Sequence, residues 1–298
     1  MKHALAFVFA TTFALAQFGD PVLPENATKK VSNHVWAIMG FPNIAIVVGT
    51  SATLVVDTGL GPRNGAIIMR EVQKLSKNQK LFLTTTHFHP EHAGGEAAFP
   101  PQTILIRPSV QQDEMNRSGM QMIEMFSKMS AQNKELLNGV TFRQPDVVFD
   151  SDLKLDLGGG VTARLLWTGG GHTLGDEFIF VEPDKTLISG DLVEKDLVPA
   201  IFGESSSAKR WLASLDKVAP LNPRFMVPDH GELGDGSLVA KQKTFMTDMQ
   251  ARALALKREG KTADQAAIIM TGEMKSKYPS YTNPNGIANF ARKVYSEN

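Results

Sequence analysis

"LFLTTTHFHPEH", Leu81 to His92, joins an apolar, β-branched run to a turn that holds three histidines and one glutamate in six positions. The run from Leu81 to Thr86 has the residue types of a strand, so the polar cluster begins where a strand ends. Imidazole is the commonest metal-binding side chain, and a carboxylate beside it suits a hard or borderline divalent ion. A solvated polar loop is the plain alternative. It is disfavoured because the chain has only seven histidines and three of them are here.

Upstream of this turn, "VWAIMG" (35–40), "NIAIVVGT" (43–50) and "ATLVVDTG" (52–59) are short β-rich runs punctuated by Gly, Pro, Asn and Ser. "RNGAIIMREVQKLSK" (63–77) places Ile67, Ile68, Val72 and Leu75 at helical spacing. The result is a strand, helix, strand unit with polar residues at the strand's C-terminal end, where α/β proteins carry their ligands. Residues 109–138 read as one helix, with Met115, Met120, Met122, Met125 and Met129 along it. Such a methionine stripe serves either as an adaptable wall or lid over a site or, more commonly, as core.

A second β-rich stretch covers 147–193, a helix is expected over 207–218, and 223–233 reads as a strand opening into a loop. From Ser237 onward the pattern is helical. Two more histidines stand in turns after strand-like segments: His172 in "WTGGGHTLGDE" and His230 in "VPDHGELGDG". Asp191, in "LISGDLVE", closes another apolar run. Any one of these histidines alone reads as a surface or hydrogen-bonded residue. Five at strand-to-loop junctions, with Glu91 and Asp191, point to a metal site.

The ordered set "VVDTG", "HFHPEH", "GGGHTLGD", "ISGDL" and "PDHG" resembles the metallo-β-lactamase-fold metallohydrolase superfamily across 35–234. That resemblance implies an αββα sandwich with the helical portion 237–298 against it. It also implies two divalent ions, usually zinc, with iron or manganese left open. His87, His89 and His172 would hold one ion, Glu91, His92 and His230 the other, and Asp191 would bridge them, with room for a bridging hydroxide. Glu91 departs from the family's usual Asp. Its extra methylene lets it either ligate or act as a proton carrier, so Glu91 and Asp191 are the expected catalytic pair. Asp57 is expected either to orient a ligand or to cap a turn. Trp167 and Phe88 are candidates for an apolar pocket wall, and "YPSYTNPNG" (278–286) either reaches the pocket or caps the fold.

Composition narrows the function. Lys plus Arg and Asp plus Glu both number 31, so no overall field attracts nucleic acid or an anionic membrane, and a small-molecule substrate is expected. There is no cysteine, which removes thiolate ligands, thiol nucleophiles and disulfides. Residues 1–16 read as a signal peptide, with Lys2 before an apolar run and Ala14-Leu15-Ala16 as the cleavage pattern. That run is too short to span a bilayer, which takes roughly 20 residues. The expected mature chain, 17–298, is a single exported domain without a membrane anchor, periplasmic or secreted.

Hydrolysis of a carbonyl ester, lactone, thioester or amide is the expected reaction, with weak β-lactam hydrolysis as a side activity. The alternatives are a phosphodiesterase, a non-catalytic metal-binding accessory protein of a periplasmic redox pathway, and an iron dioxygenase.

Overall fold

Strand residues in this chain alternate between two apolar faces, and that alternation builds the layers. The computed structural model describes residues 19–201 and 203–297. The expected signal peptide therefore lies outside the described residues. The first sheet contains β1 (Thr28–Lys30), β2 (Val35–Ile38), β3 (Ile44–Val48), β4 (Ala52–Val56), β5 (Lys80–Thr84), β6 (Ile104–Pro108) and β7 (Val147–Phe149), in that spatial order. It is antiparallel as far as β4 and parallel from β4 to β7.

The second sheet contains β8 (Asp152–Gly158), β9 (Val161–Trp167), β10 (Glu177–Glu182), β11 (Thr186–Gly190), β12 (Phe225–Pro228) and β13 (Gly234–Asp235). Its strands follow the order β13-β12-β11-β10-β9-β8, with β11 and β12 parallel and the other pairs antiparallel.

Successive side chains on a strand point to opposite faces. Thus Ala45, Val47, Leu54 and Val56 enter the core between the sheets, where they join Leu165, Ile179, Val181 and Ile188. Ile44, Ile46 and Val55 point the other way, onto Ile67, Ile68 and Val72 of α1 (Pro62–Leu75). On the second sheet Phe178 and Phe180 face outward. They meet α5 (Ala208–Val218), α6 (Ser237–Arg258), α7 (Ala263–Lys277) and α8 (Asn285–Glu297) in one apolar cluster. Helices therefore cover both outer faces, giving the expected αββα sandwich. Burying each large aliphatic side chain contributes roughly 1.5–3 kcal/mol.

Three sequence readings are refined. Residues 109–138 are not one helix but α3 (Ser109–Ser127) and α4 (Ala131–Leu136). Ser130 makes the break: its side chain caps α4 by accepting from the Asn133 N–H, which frees the chain to turn. The methionine stripe also divides. Met115 is buried against Phe88 and Ala93, whereas Met120 is 60% exposed. The 147–193 stretch divides as well, because β7 joins the edge of the first sheet, parallel to β6, and only β8 to β11 belong to the second.

A polar clasp ties the sheets together at the end remote from the histidine turn. Asp184, in the β10–β11 turn, accepts hydrogen bonds from Ser32 Oγ (2.6 Å) and the His34 N–H (2.7 Å), and its other oxygen lies 2.8 Å from His34 Nδ1. Burial opposes the charge, but these partners outweigh it and hold the carboxyl below its ordinary value of 3.8. A depressed pKa stabilises the fold above the unfolded-state value and ceases to do so as pH falls through the folded one. Asp184→Ala is expected to cost about 1–3 kcal/mol at pH 7. Urea melts should show this gap from wild type shrinking below about pH 4.

Candidate metal centre

Four strand ends converge on one edge of the sandwich. Asp57 follows β4, His87 lies just beyond β5, Asp191 follows β11, and Asp229 and His230 follow β12. His172 comes from the β9–β10 connection. Gly190 brings the two sheets together here, because its φ of 55° suits glycine and a Cβ would sit 2.8 Å from Thr86 Cβ. His89 begins a single-turn helix, α2 (Pro90–Ala93), which carries Glu91 and His92.

The site residues expected from the sequence all meet there. His87 Nε2 and His89 Nδ1 are 3.0 Å apart, and His172 Nε2 is 3.2 Å from the same His89 nitrogen. Asp191 Oδ2 lies 3.3 Å from His172 Nε2, while its Oδ1 lies 3.2 Å from His230 Nε2 and 3.8 Å from His92 Nε2. Asp191 thus reaches both groups of imidazoles. Glu91 Oε1 is 3.8 Å from His92 Nε2, and His87, Glu91 and His92 can offer ligand atoms within 4.8 Å of one another. The longer side chain still reaches the cluster.

The donor set fits divalent cations. His92 Nε2, Glu91 Oε2 and Asp191 Oδ1 are buried and make no hydrogen bond. Buried polar atoms left in this way cost roughly 1–3 kcal/mol each, so orphans within one cluster of imidazoles and carboxyls call for a ligand. Burial, reinforced by neighbouring imidazoles, holds His87 and His89 well below the ordinary histidine value, so both stay neutral and able to ligate. Burial disfavours the Asp191 charge, but His230 and His172 beside it hold the carboxyl well below its ordinary value. Burial raises Glu91 to about 7, against the opposing pull of His92.

Around these groups, further contacts fix orientation. His172 Nδ1 is 2.7 Å from the Ala200 carbonyl oxygen, which can only accept, so Nδ1 carries the proton and Nε2 turns its lone pair inward. His92 Nδ1 lies 3.2 Å from Asp57 Oδ2 and 3.3 Å from Asp229 Oδ2, which likewise turns Nε2 toward the cluster. Burial works against a charged His92, but Asp57, Asp229 and Asp191 reverse that and raise it well above its ordinary value. Asp57 also accepts the Thr86 N–H at 2.7 Å, so it holds the histidine turn and orients a ligand as well.

The loop around His172 is tied to α3. Glu114 accepts from the Leu174 and Gly175 N–H groups at 3.1 and 2.7 Å, and Gln111 donates to the Thr85 and Gly175 carbonyls at 2.7 and 3.1 Å. A Cβ on Gly175 would lie 2.3 Å from Gln111 Cα, so only glycine permits this approach. The N-terminal half of α3 is therefore clamped to the site rather than hinged over it.

The metallo-beta-lactamase superfamily model matches residues 38–230, more than half of the chain. The chain belongs to the metallo-beta-lactamase superfamily. Among relatives of this superfamily member, a linear primary-alkylsulfatase from Pseudomonas sp. (strain ATCC 19151) is 24% identical over 225 residues. That match covers 65% of this chain and 42% of the alkylsulfatase. A solved stereoselective inverting sec-alkylsulfatase from Pseudomonas sp. superposes with a TM-score of 0.73 at 18% identity, over 91% of this chain and 50% of that one. A metallo-beta-lactamase from Pontibacter korlensis superposes at 0.57 with 21% identity, over 74% and 98%. The chain spans half the length or less of these alkylsulfatases, and the structural likenesses establish the fold.

Several contributors were not legible in the sequence. Asp229 is one, although it stood inside the quoted "PDHG". Phe41 is another: its ring stacks on His230, with centroids 4.4 Å apart. Of the wall candidates, Phe88 is buried beneath the histidine turn with Ala93 and Met115. Trp167 donates to the Leu174 carbonyl at 2.8 Å and packs on the core between the sheets.

Proposed function

We propose that the chain is an exported hydrolase that holds two divalent ions and cleaves a carbonyl ester, lactone, thioester or amide. His87, His89 and His172 would hold one ion, and His92, His230 and Glu91 the other, with Asp191 shared between them. Zinc suits this nitrogen and oxygen set, as do iron and manganese. Bound there, such ions supply water acidified toward neutral pH and Lewis-acid polarisation of the scissile carbonyl.

The chain's own residues do the rest. Asp191 accepts a hydrogen bond from the attacking water and fixes its direction. Glu91, as a ligand, would give up its proton when the ion binds; its other role, open to the longer side chain when it stands off the ion, is to carry a proton toward the leaving group. Asp57, Asp229 and the Ala200 carbonyl keep the imidazoles in the tautomers that face inward.

Two overlapping groups of potential ligand atoms, His87, Glu91 and His92 on one side and His92, Asp191 and His230 on the other, in which His92 Nε2, Glu91 Oε2 and Asp191 Oδ1 are buried and unpartnered, carry this reading. A second reading, cleavage of an alkyl sulfate ester, draws on the alkylsulfatase relatives.

The purified chain, before and after chelation, should be assayed on lactones, thioesters, aryl esters, β-lactams, bis(p-nitrophenyl) phosphate and dodecyl sulfate. Chelator-sensitive turnover of a carbonyl substrate is expected. Turnover of dodecyl sulfate alone selects the second reading, and a loaded protein inert to all of them selects a binding role. Export is tested by sequencing the mature N-terminus, which should begin at Gln17.

A further inference from the structure

The segment 278–286, which runs from the end of α7 into the first residues of α8, is bonded to the loop that joins Asp191 to Ala200. The loop from Asp191 to Ile201 leaves one expected ligand, Asp191, and ends beside the carbonyl of Ala200, which receives the His172 Nδ1 proton. Midway along it, Leu197 and Thr282 form an isolated parallel bridge. The Thr282 N–H donates to the Asp196 carbonyl at 2.8 Å, and the Val198 N–H donates to the Thr282 carbonyl at 3.1 Å. Asp196 adopts a φ of 55°, a conformation held in place by these flanking bonds.

The segment is itself anchored. Tyr281 stacks on the buried Phe245 of α6, with centroids 4.0 Å apart, and Tyr278 meets the same ring edge-on at 4.8 Å. At its far end Gly286 lies so close to Val198 that a Cβ would come within 2.8 Å of Val198 Cγ1.

We infer that the 278–286 segment is a strap that positions His172: Thr282 pins the 191–201 loop, the loop places the Ala200 carbonyl, and that carbonyl fixes the ring of a metal ligand. This rests on His172 being a ligand, and it makes the C-terminal helices part of the centre's construction. Thr282 itself is exposed; its N–H makes the shorter bond to the Asp196 carbonyl, and its hydroxyl donates to the same oxygen at 3.3 Å. It is a positioning residue. Groups of this kind, acting through a ligand's second ring nitrogen, typically set metal affinity by 10–100-fold.

The full chain, wild type and variant, is titrated with Co2+ against a chromophoric chelator. Thr282→Pro, which removes the N–H, should weaken metal binding by about 10–100-fold. Thr282→Ser, which keeps it, should bind as wild type does. Met270→Ala, a buried change in α7 away from the strap, should lower the melting temperature without weakening metal binding. A folded Thr282→Pro chain that binds Co2+ as tightly as wild type overturns the strap and leaves the metal reading standing. Wild type that takes up no Co2+ overturns both.

Nitrogen NMR of His172 in the wild-type chain gives a test independent of any variant's folding. A proton on Nδ1 is expected, and a proton on Nε2 contradicts the inference.

Discussion

Asp191→Asn is expected to lower kcat/KM on the best substrate of the proposed hydrolase by about 10²–10³-fold, the usual cost of removing one group aimed at developing charge. Asp191 places Oδ2 at 3.3 Å from His172 Nε2 and Oδ1 at 3.2 Å from His230 Nε2, so a single carboxylate serves both imidazole groups. The amide keeps the shape but removes a full negative charge and replaces one acceptor with an N–H2 donor. That donor faces a ligand nitrogen on one side or the other. Both ions should therefore be held less tightly, and metal analysis after dialysis should show less than wild-type content. Because the side-chain volume is unchanged, the far-UV spectrum should not change. A variant within tenfold of wild type in kcat/KM removes Asp191 from the mechanism.

Arg107→Leu is expected to cost about 3–5 kcal/mol of stability, the range for removing one member of a buried ion pair. Arg107 and Glu96 are both fully buried and paired. The guanidinium also donates to Gln112 Oε1 at 2.9 Å, the Arg143 carbonyl at 3.1 Å and Thr85 Oγ1 at 3.3 Å. Leucine fills part of the space but leaves Glu96 charged in a region without water, and that stranded charge is the main loss. Replacing both, as Arg107→Leu with Glu96→Leu, should recover most of the deficit, because an apolar pair needs no desolvation. Urea melts of the two variants measure this directly. Equal losses in the single and the double variant would show that the stability lost does not come from a stranded Glu96 charge. Thr85 lies two residues before His87, so the single variant should also loosen the histidine turn.

The cluster of candidate ligands was legible because metal chemistry restricts residue types and strand ends restrict position. His87, His89, His92, His172, Asp191 and His230 each follow or close an apolar run, and the fold brings those run ends to one edge. Asp57 was visible only as one of two roles, and its contacts with Thr86 and His92 show that it fills a place between them. Asp229 was hidden by its neighbour His230, and only the spatial approach of α2 to the end of β12 reveals its contact with His92.

Backbone groups leave no mark in a sequence. The Ala200 carbonyl and the Thr282 N–H could be found only once distant segments had met. The break at Ser130 was missed because the residues on either side keep a helical pattern, and a single capping serine is a weak signal within it. The sheet to which β7 belongs was not legible either, since a three-residue run does not say which sheet edge it will meet.

The most direct measurement is metal content under competition. The chain is loaded with Zn2+, passed over a chelating column, and analysed for bound metal alongside His89→Ala and His230→Ala. Two ions per wild-type chain, and fewer in each variant, are expected if these side chains grip a pair of cations. A folded wild-type chain that retains no divalent ion, or variants that retain as much as wild type, would contradict the account.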